Sequence, residues 1–388
     1  MNININLIKK QGDLYDLVVR DNKIIELYHR DVAGPGELSF HVYEPKTNTL
    51  TEIEPSVKKI DFVYFHISYK PCQEVYYAVY EENEDTSVDL DIIAYNVARQ
   101  ETRIMCSLHE TGQVLTGQKR VKVFVLSPSL LLIQTEIVDT AGAAERMGNI
   151  VFTQALYDTE SNTATEIIEE NLNNNGINSI VPLNETEVMI KTGFSFLEDS
   201  RLMYGSENDA LIESVYVTTI SKFTADIALK LNNIDMKLVI STYFDKYILK
   251  PEVKDDYIAI NVVNIESKES DCVFYNFVTG EKLTAKNTDI DINDLRIAYV
   301  IDNIPYVRKY IENSCEFVNL NSAENDISFY DEDFIDVCGN LFVTHRRHAR
   351  KNHMRVYKYP HMDLLLDEAC NYVAGIEHDN NYYIYFEK

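Results

Sequence analysis

Tryptophan is absent from all 388 residues, although Tyr occurs 26 times and Phe 16 times. The residue that most often stacks on sugar rings is therefore missing. Basic side chains are scarce, 36 Lys and Arg against 62 Asp and Glu, for a formal net charge of −26. Such a surface repels polyanions and gains nothing from counterion release, so no nucleic-acid partner is expected. Long apolar runs are missing too: no stretch of about 18 apolar residues occurs, and Met1 leads into Asn-Ile-Asn-Ile-Asn instead of a basic segment followed by an apolar one. The expectations are no membrane partner and a cytoplasmic location. Cys72, Cys106, Cys272, Cys315, Cys338 and Cys370 are scattered without a CxxC pair, which argues against a disulfide framework and against a zinc ribbon. The remaining composition, 45% hydrophobic and 25% charged, is that of an ordinary globular chain.

Motifs that would announce chemistry are also lacking. No GxxxxGK[ST] cradle for phosphates and no GxSxG elbow is present; Gly193-Phe194-Ser195-Phe196 lacks the second glycine. Asp289-Ile290-Asp291-Ile292-Asn293-Asp294 alternates carboxylates like a calcium loop. An EF-hand would want Gly at Asp294 and Glu at Val300, so two positions fail. Asn184-Glu185-Thr186 fits a glycosylation acceptor, but without a secretory signal it reads as a turn. No cofactor and no metal are expected, and acidic residues are too many for one pair to stand out as acid and base.

What is present is alternation of apolar and polar side chains with period two along nearly the whole chain, the pattern of strands packed on one or both faces. Early candidate strands are Leu14–Arg20, Ile24–Arg30, Leu38–Tyr43, Phe62–Tyr69, Val75–Tyr80 and Leu90–Tyr95, separated by turn clusters. A hairpin unit recurs seven times: an apolar strand that often ends in Tyr, a polar turn of about five residues, and a second short strand. Its regular copies run from Phe40–Tyr43 into Thr51–Ile53, from Ile92–Tyr95 into Thr102–Ile104, and from Gln154–Tyr157 into Thr165–Ile167. Less regular copies run from Val217–Ile220 into Asp226–Ala228, from Cys272–Tyr275 into Glu281–Leu283, from Glu316–Val318 into Asp326–Ser328, and from Met354–Tyr357 into Asp363–Leu365.

Taking Tyr43, Tyr95, Tyr157, Ile220, Tyr275, Val318 and Tyr357 as register marks, the steps are 52, 62, 63, 55, 43 and 39 residues. A four-stranded blade needs about 40 to 50 residues. Two further strands fit between successive marks, such as Val121–Leu126 with Leu130–Glu136 and Ile297–Ile301 with Tyr306–Ile311. A four-stranded meander cannot bury both faces alone, and radial stacking of such sheets solves that problem. The expectation is an all-β chain forming a single β-propeller domain over residues 1–388. In strand pattern and in polar turns such as Val278-Thr279-Gly280-Glu281, the chain resembles the divergent propellers of TolB-like proteins and of prolyl peptidases. The Gly-His and Trp-Asp signature of WD40 repeats is missing. This resemblance implies a fold and no function. Ile3–Leu7, Tyr372–Glu377 and Tyr382–Phe386 bring the candidate strands to 31, closer to the 32 of eight blades than to the 28 of seven. The terminal strands are expected to close the last blade, hiding sheet edges that invite aggregation.

Asp139–Asn149 and Gly193–Asp209 interrupt two repeats at equivalent places and read as long rim loops. Residues 345–353, His-Arg-Arg-His-Ala-Arg-Lys-Asn-His, concentrate four permanent cations in an acidic chain and read as a loop between Leu341–Thr344 and Met354–Tyr357. The candidate binding residues are Arg346, Arg347, His348, Arg350, Lys351 and His353, offering charge-assisted donors to a phosphate, a carboxylate or an acidic protein segment. The competing readings are a solvated loop, and a metal held by His345, His348 and His353, which four neighbouring cations disfavour. Tyr43, Tyr95, Tyr157, Tyr275 and Tyr357 share one repeat position, where a ring packs between blades and its hydroxyl reaches the edge. The expected function is a non-enzymatic scaffold binding a protein or peptide through the rim loops. The alternative is a small-anion or carbohydrate-binding protein, or a hydrolase, with its pocket at the central channel.

Overall fold

The computed structural model describes residues 4–10, 13–30, 37–58, 74–82, 87–110, 119–138, 150–167, 176–193, 212–232, 234–243, 246–264, 266–267, 269–287, 298–311, 314–321, 326–330, 333–348 and 351–387. The fold is an all-β propeller of eight blades, packed as two compact units, Gly12–Ile240 and Met1–Gln11 with Ser241–Lys388. The first strand, β1 (Asn4–Lys9), belongs to the second of these units. Blade 1 is β2 (Asp13–Arg20), β3 (Lys23–Arg30), β4 (Glu37–Glu44) and β5 (Thr49–Lys58). Blade 2 shows three strands, β6 (Glu74–Glu82), β7 (Val88–Asn96) and β8 (Glu101–Glu110); the expected Phe62–Tyr69 strand lies outside the described residues. Blade 3 comprises β9 (Lys119–Ser127), β10 (Leu130–Val138), β11 (Ile150–Asp158) and β12 (Thr163–Ile167). Blade 4 comprises β13 (Ile177–Pro182), β14 (Glu187–Thr192), β15 (Ile212–Thr219) and β16 (Lys237–Tyr243), with α1 (Ile220–Ala228) between its last two strands.

In the other unit, blade 5 is β17 (Tyr247–Lys254), β18 (Tyr257–Asn264), β19 (Ser270–Asn276) and β20 (Lys282–Asn287). Blade 6 is β21 (Ala298–Ile301), β22 (Ile304–Ile311), β23 (Ser314–Asn319) and β24 (Ile327–Tyr330). Blade 7 is β25 (Asp333–Cys338), β26 (Leu341–His348), β27 (Lys351–Lys358) and β28 (Asp363–Glu368). Blade 8 joins both ends of the chain, β29 (Asn371–His378) pairing with β30 (Asn381–Glu387) and β30 with β1. Consecutive strands pair antiparallel, but β1 lies parallel to β30, from Asn4 opposite Asn381 to Lys9 opposite Phe386.

Two kinds of turn set the registers. First and second strands are joined by Asp-Asn pairs at Asp21-Asn22, Asp302-Asn303 and Asp379-Asn380, with φ between 46° and 58°. That double left-handed conformation is the hairpin turn whose twist matches its strands, and Asp and Asn tolerate it. Third and fourth strands are joined by longer turns that follow the recurring Tyr. The fifth residue after each Tyr is left-handed: Asn48, Gln100, Asn162, Gly280 and Met362. Tyr43 Oη donates to Asn48 Oδ1 at 2.9 Å, and Tyr157 donates likewise to Asn162, so in these two copies the Tyr braces its own turn. Asn184 also serves a turn, its Oδ1 accepting from the Thr186 and Glu187 amides at 2.9 Å.

The cores lie between successive blades. Tyr76, Leu90 and Ile92 meet Val123, Val125 and Leu131, while Phe124, Leu132 and Leu156 meet Ile180, Val188 and Ile190. Side chains also stitch blade to blade. Gln154 donates from Nε2 to the Ile177 carbonyl (2.6 Å) and accepts the Ile177 amide at Oε1 (3.0 Å), extending a ladder across the gap. Asn261 Oδ1 accepts the Ala298 amide at 2.9 Å between blades 5 and 6.

One expectation is corrected. The hairpin from Val217–Ile220 into Asp226–Ala228 is instead a strand running into α1, and α1 is the only helix among the described residues. Thr219, extended at φ −83° and ψ 145°, caps it by accepting the Lys222 amide at 3.2 Å. Phe223 and Ile227, both fully buried, bring one helical turn onto the core between blades 3 and 4. A spacing of four satisfies both a strand and a helix, so the apolar pattern could not separate them.

Candidate functional site

Residues 345–353 do not form a loop between short strands. Pairing of β26 with β27 continues through Arg346 opposite His353, Arg347 opposite Asn352 and His348 opposite Lys351; Arg350 lies outside the described residues. Because neighbours alternate across a strand, this register divides the candidate set. Arg346, His348, Lys351 and His353 hold positions on one face of the ribbon, joined by Arg355. Arg347 holds the other, with His345 and Asn352. The three-imidazole arrangement is therefore not assembled: His345 falls on the opposite face from His348 and His353, and His361 stands beyond the far end of β27.

His353 and Arg355 converge on one carboxylate of β28. His353 Nδ1 stands 3.0 Å from Asp367 Oδ1, and Arg355 Nε donates to Asp367 Oδ2 at 2.9 Å. Burial pushes the Asp367 carboxyl up, but the bonds from His353 and Arg355 outweigh it and hold the group below the usual carboxylate range. Among the described residues, the flanking strands stop short of the ribbon's end. β25 pairs with β26 up to Asp333 opposite His345, and β28 pairs with β27 up to Glu368 opposite Met354.

The same unit contains a cavity of about 500 Å³ at the turns between first and second strands, reached by Lys254, Asp255, Asp302, Asn303, Asn340 and Glu377. Asn303 laces two of these turns together, donating from its amide to Asp255 Oδ2 (3.2 Å) and from Nδ2 to Asp256 Oδ2 (2.9 Å). Tyr382 Oη donates to Asn340 Oδ1 at 2.6 Å; burial first, and then the neighbouring Glu377 carboxylate, push that hydroxyl up to about 12. Burial likewise pushes the Cys338 thiol up to about 12, so it is not poised as a thiolate nucleophile. Three carboxylates and one ammonium line this cavity, an electrostatic character opposite to the one expected for an anion site. The cationic residues cannot serve it. β26 runs from Leu341 beside the cavity to His348 in the ribbon, and five to seven rises of about 3.3 Å carry Arg346 to His348 roughly 16 to 23 Å from Leu341. The signal that could have found this cavity is the short polar turn between first and second strands, Asp255-Asp256, Asp302-Asn303 and Gly339-Asn340, which the register marks at Tyr overlook.

In the other unit, a groove of about 520 Å³ runs between the β4–β5 and β7–β8 hairpins, lined by Val42, Thr49, Thr51, Tyr95 and Thr102 among others. Of the expected rim loops, Asp139–Asn149 lies outside the described residues, and so does Gly193–Asp209 apart from Gly193. Each connects the second and third strands of its blade, the same link that carries the cationic ribbon in blade 7.

The fold defines the class, and comparison with solved structures agrees. The chain is similar to dipeptidyl peptidase 4 of Porphyromonas gingivalis, with 9% identity and a TM-score of 0.51, covering 93% of this chain and 55% of that one. It is also similar to the β-propeller domain of the Trilobed protease from Pyrococcus furiosus (11% identity, TM-score 0.45, covering 92% of this chain and 99% of that one). Acylaminoacyl peptidase of Pyrococcus horikoshii gives 11% identity and a TM-score of 0.47, covering 95% of this chain and 56% of that one. The chain thus spans little more than half the length of the two full peptidases, and the likeness to dipeptidyl peptidase 4 is one of fold. No known family model matches the chain, and no curated protein matches it in sequence.

Proposed function

We propose that this chain is a non-enzymatic, protein- or peptide-binding β-propeller, and that the second-to-third strand link of blade 7 takes an acidic partner segment. One observation carries the reading: in a chain of net charge −26, four permanent cations fall within residues 345–353, and the described ladder gathers two of them, Arg346 and Lys351, on one face with His348 and His353. A concentrated positive patch on an acidic body steers an acidic segment to one place and repels it from the rest. The test uses a fluorescein-labelled oligoglutamate peptide, followed by anisotropy at two salt concentrations. Replacing Arg346, Arg347, Arg350 and Lys351 by Ser, with circular dichroism confirming the fold, is expected to weaken binding at least tenfold and to flatten its salt dependence. Equal affinity of the two proteins would sink the reading.

The polar cavity of about 500 Å³ supports a second reading, a small-ligand protein or hydrolase. Its three carboxylates favour a hydroxyl-rich or cationic ligand over an anion. Calorimetry with neutral sugars and with sulfate separates the two: heat from sulfate alone would overturn this preference.

A further inference from the structure

We infer that the acidic segment is taken up as an added β-strand along the outer edge of β27 at Lys351–His353, with carboxylates at two alternate positions of the incoming chain. This rests on the reading above and names its mode of binding. The ladder between β27 and β28 runs from Lys358 opposite Asp363 to Met354 opposite Glu368 and stops there. The chain then turns, the Cys370 amide donating to the Glu368 carbonyl at 2.9 Å, and enters β29 at Asn371. Among the described residues, Lys351, Asn352 and His353 therefore have a strand partner on the β26 side only. A strand edge with a vacant row of amides and carbonyls is a template for another extended chain.

Charge and register choose the occupant. Along β27, Lys351 and His353 share a face, and directly behind them in β26 stand His348 and Arg346. A strand laid on the edge of β27 places alternate side chains beside that group of four. The residue between them falls on the face of Asn352. Carboxylates spaced i and i+2 match the pattern, whereas a contiguous acidic block would turn half its charge to the other face, where the described ladder places Arg347 as the one permanent cation against Arg346 and Lys351 on this one. Asp367 already takes His353 Nδ1, so Nε2 can donate to an incoming carboxylate only from the imidazolium form, in which both ring nitrogens are donors. Asp367 and Glu368 follow where the vacant edge ends, so they repel a third carboxylate and limit how far the segment slides.

The probe is an acetylated, labelled peptide, Thr-Glu-Val-Glu-Val-Glu-Thr, with two isomers N-methylated at all odd or all even positions. Methylation removes the amide donors along one edge of an extended chain and leaves the charge intact. Strand addition requires one isomer to bind at least tenfold more weakly than the other, and Lys351→Ser to weaken the unmethylated peptide severalfold. Equal binding of both isomers overturns strand addition and leaves the electrostatic reading standing. Failure of the alternating peptide to bind, while oligoglutamate is still retained, also overturns strand addition. Failure of both peptides overturns the proposed function itself.

Discussion

Lys191 and Glu213 show how single residues constrain this chain, since Lys191 Nζ meets Glu213 Oε1 at 2.6 Å with the carboxylate side chain only 1% exposed. Neither charge could sit there alone, because an unpaired buried ion costs several kcal/mol. The cysteines are governed by the same desolvation. Burial pushes the thiols of Cys106, Cys272 and Cys338 up to about 12, with nearby carboxylates adding to the effect. At pH 8 almost no thiolate exists at these three positions, so iodoacetamide should leave them unmodified in the native protein and alkylate them in urea. Mass spectrometry of the digested protein counts the adducts. Native labelling of Cys338 at the rate of a free thiol would contradict its buried, high-pKa state. At this scale the repeated Tyr was legible in the sequence, since five of seven copies keep it. The division of the cationic residues was not. Arg346 and Arg347 are adjacent letters, and only a ladder register assigns them to opposite faces.

At the scale of elements, strands could be read because their cores demand alternation, and the candidate boundaries lie close to the observed ones in most blades. Departures occur where an element leaves that demand. Among the described residues, the β26–β27 ribbon extends past both flanking strands; its sequence is charged instead of alternating, and it reads as a loop. Helix α1 departs for the opposite reason, its two buried residues fitting either period. Its start depends on Thr219, whose Oγ1 accepts the Lys222 amide. Thr219→Ala is expected to lower stability by about 1 kcal/mol, as for other lost N-caps, measured by urea denaturation. Thr219→Ser should restore most of that loss, and a Ser variant no better than Ala would show that the cap contributes nothing.

At the scale of the whole molecule, the terminal strands have the greatest leverage. β1 contributes six paired residues to β30 and Ile5 packed against the core of blades 7 and 8, and Lys10 just after it adds the ion pair to Glu387 at 2.8 Å. Removing residues 1–11 strips one side of β30 and bares a long edge. The shortened protein is expected to melt several degrees lower and to self-associate, read by calorimetry and light scattering. An unchanged melting temperature with a monomeric profile would show that β1 does not hold the blade closed.

The sequence by itself determined an all-β chain of recurring hairpins with its ends brought together, because period-two burial and turn chemistry are local and repeat in every blade. It also determined that positive charge is concentrated in one segment. Only the tertiary structure decided which residues become neighbours. Asp255, Asp302, Asn340 and Glu377 lie about 40 residues apart in sequence and line one cavity because equivalent turns of four blades converge. The cationic ribbon stands roughly 16 to 23 Å from that cavity because one extended strand, β26, reaches from one to the other. Spacing along a chain sets which side of a strand a residue takes, whereas proximity between blades depends on how the sheets stack.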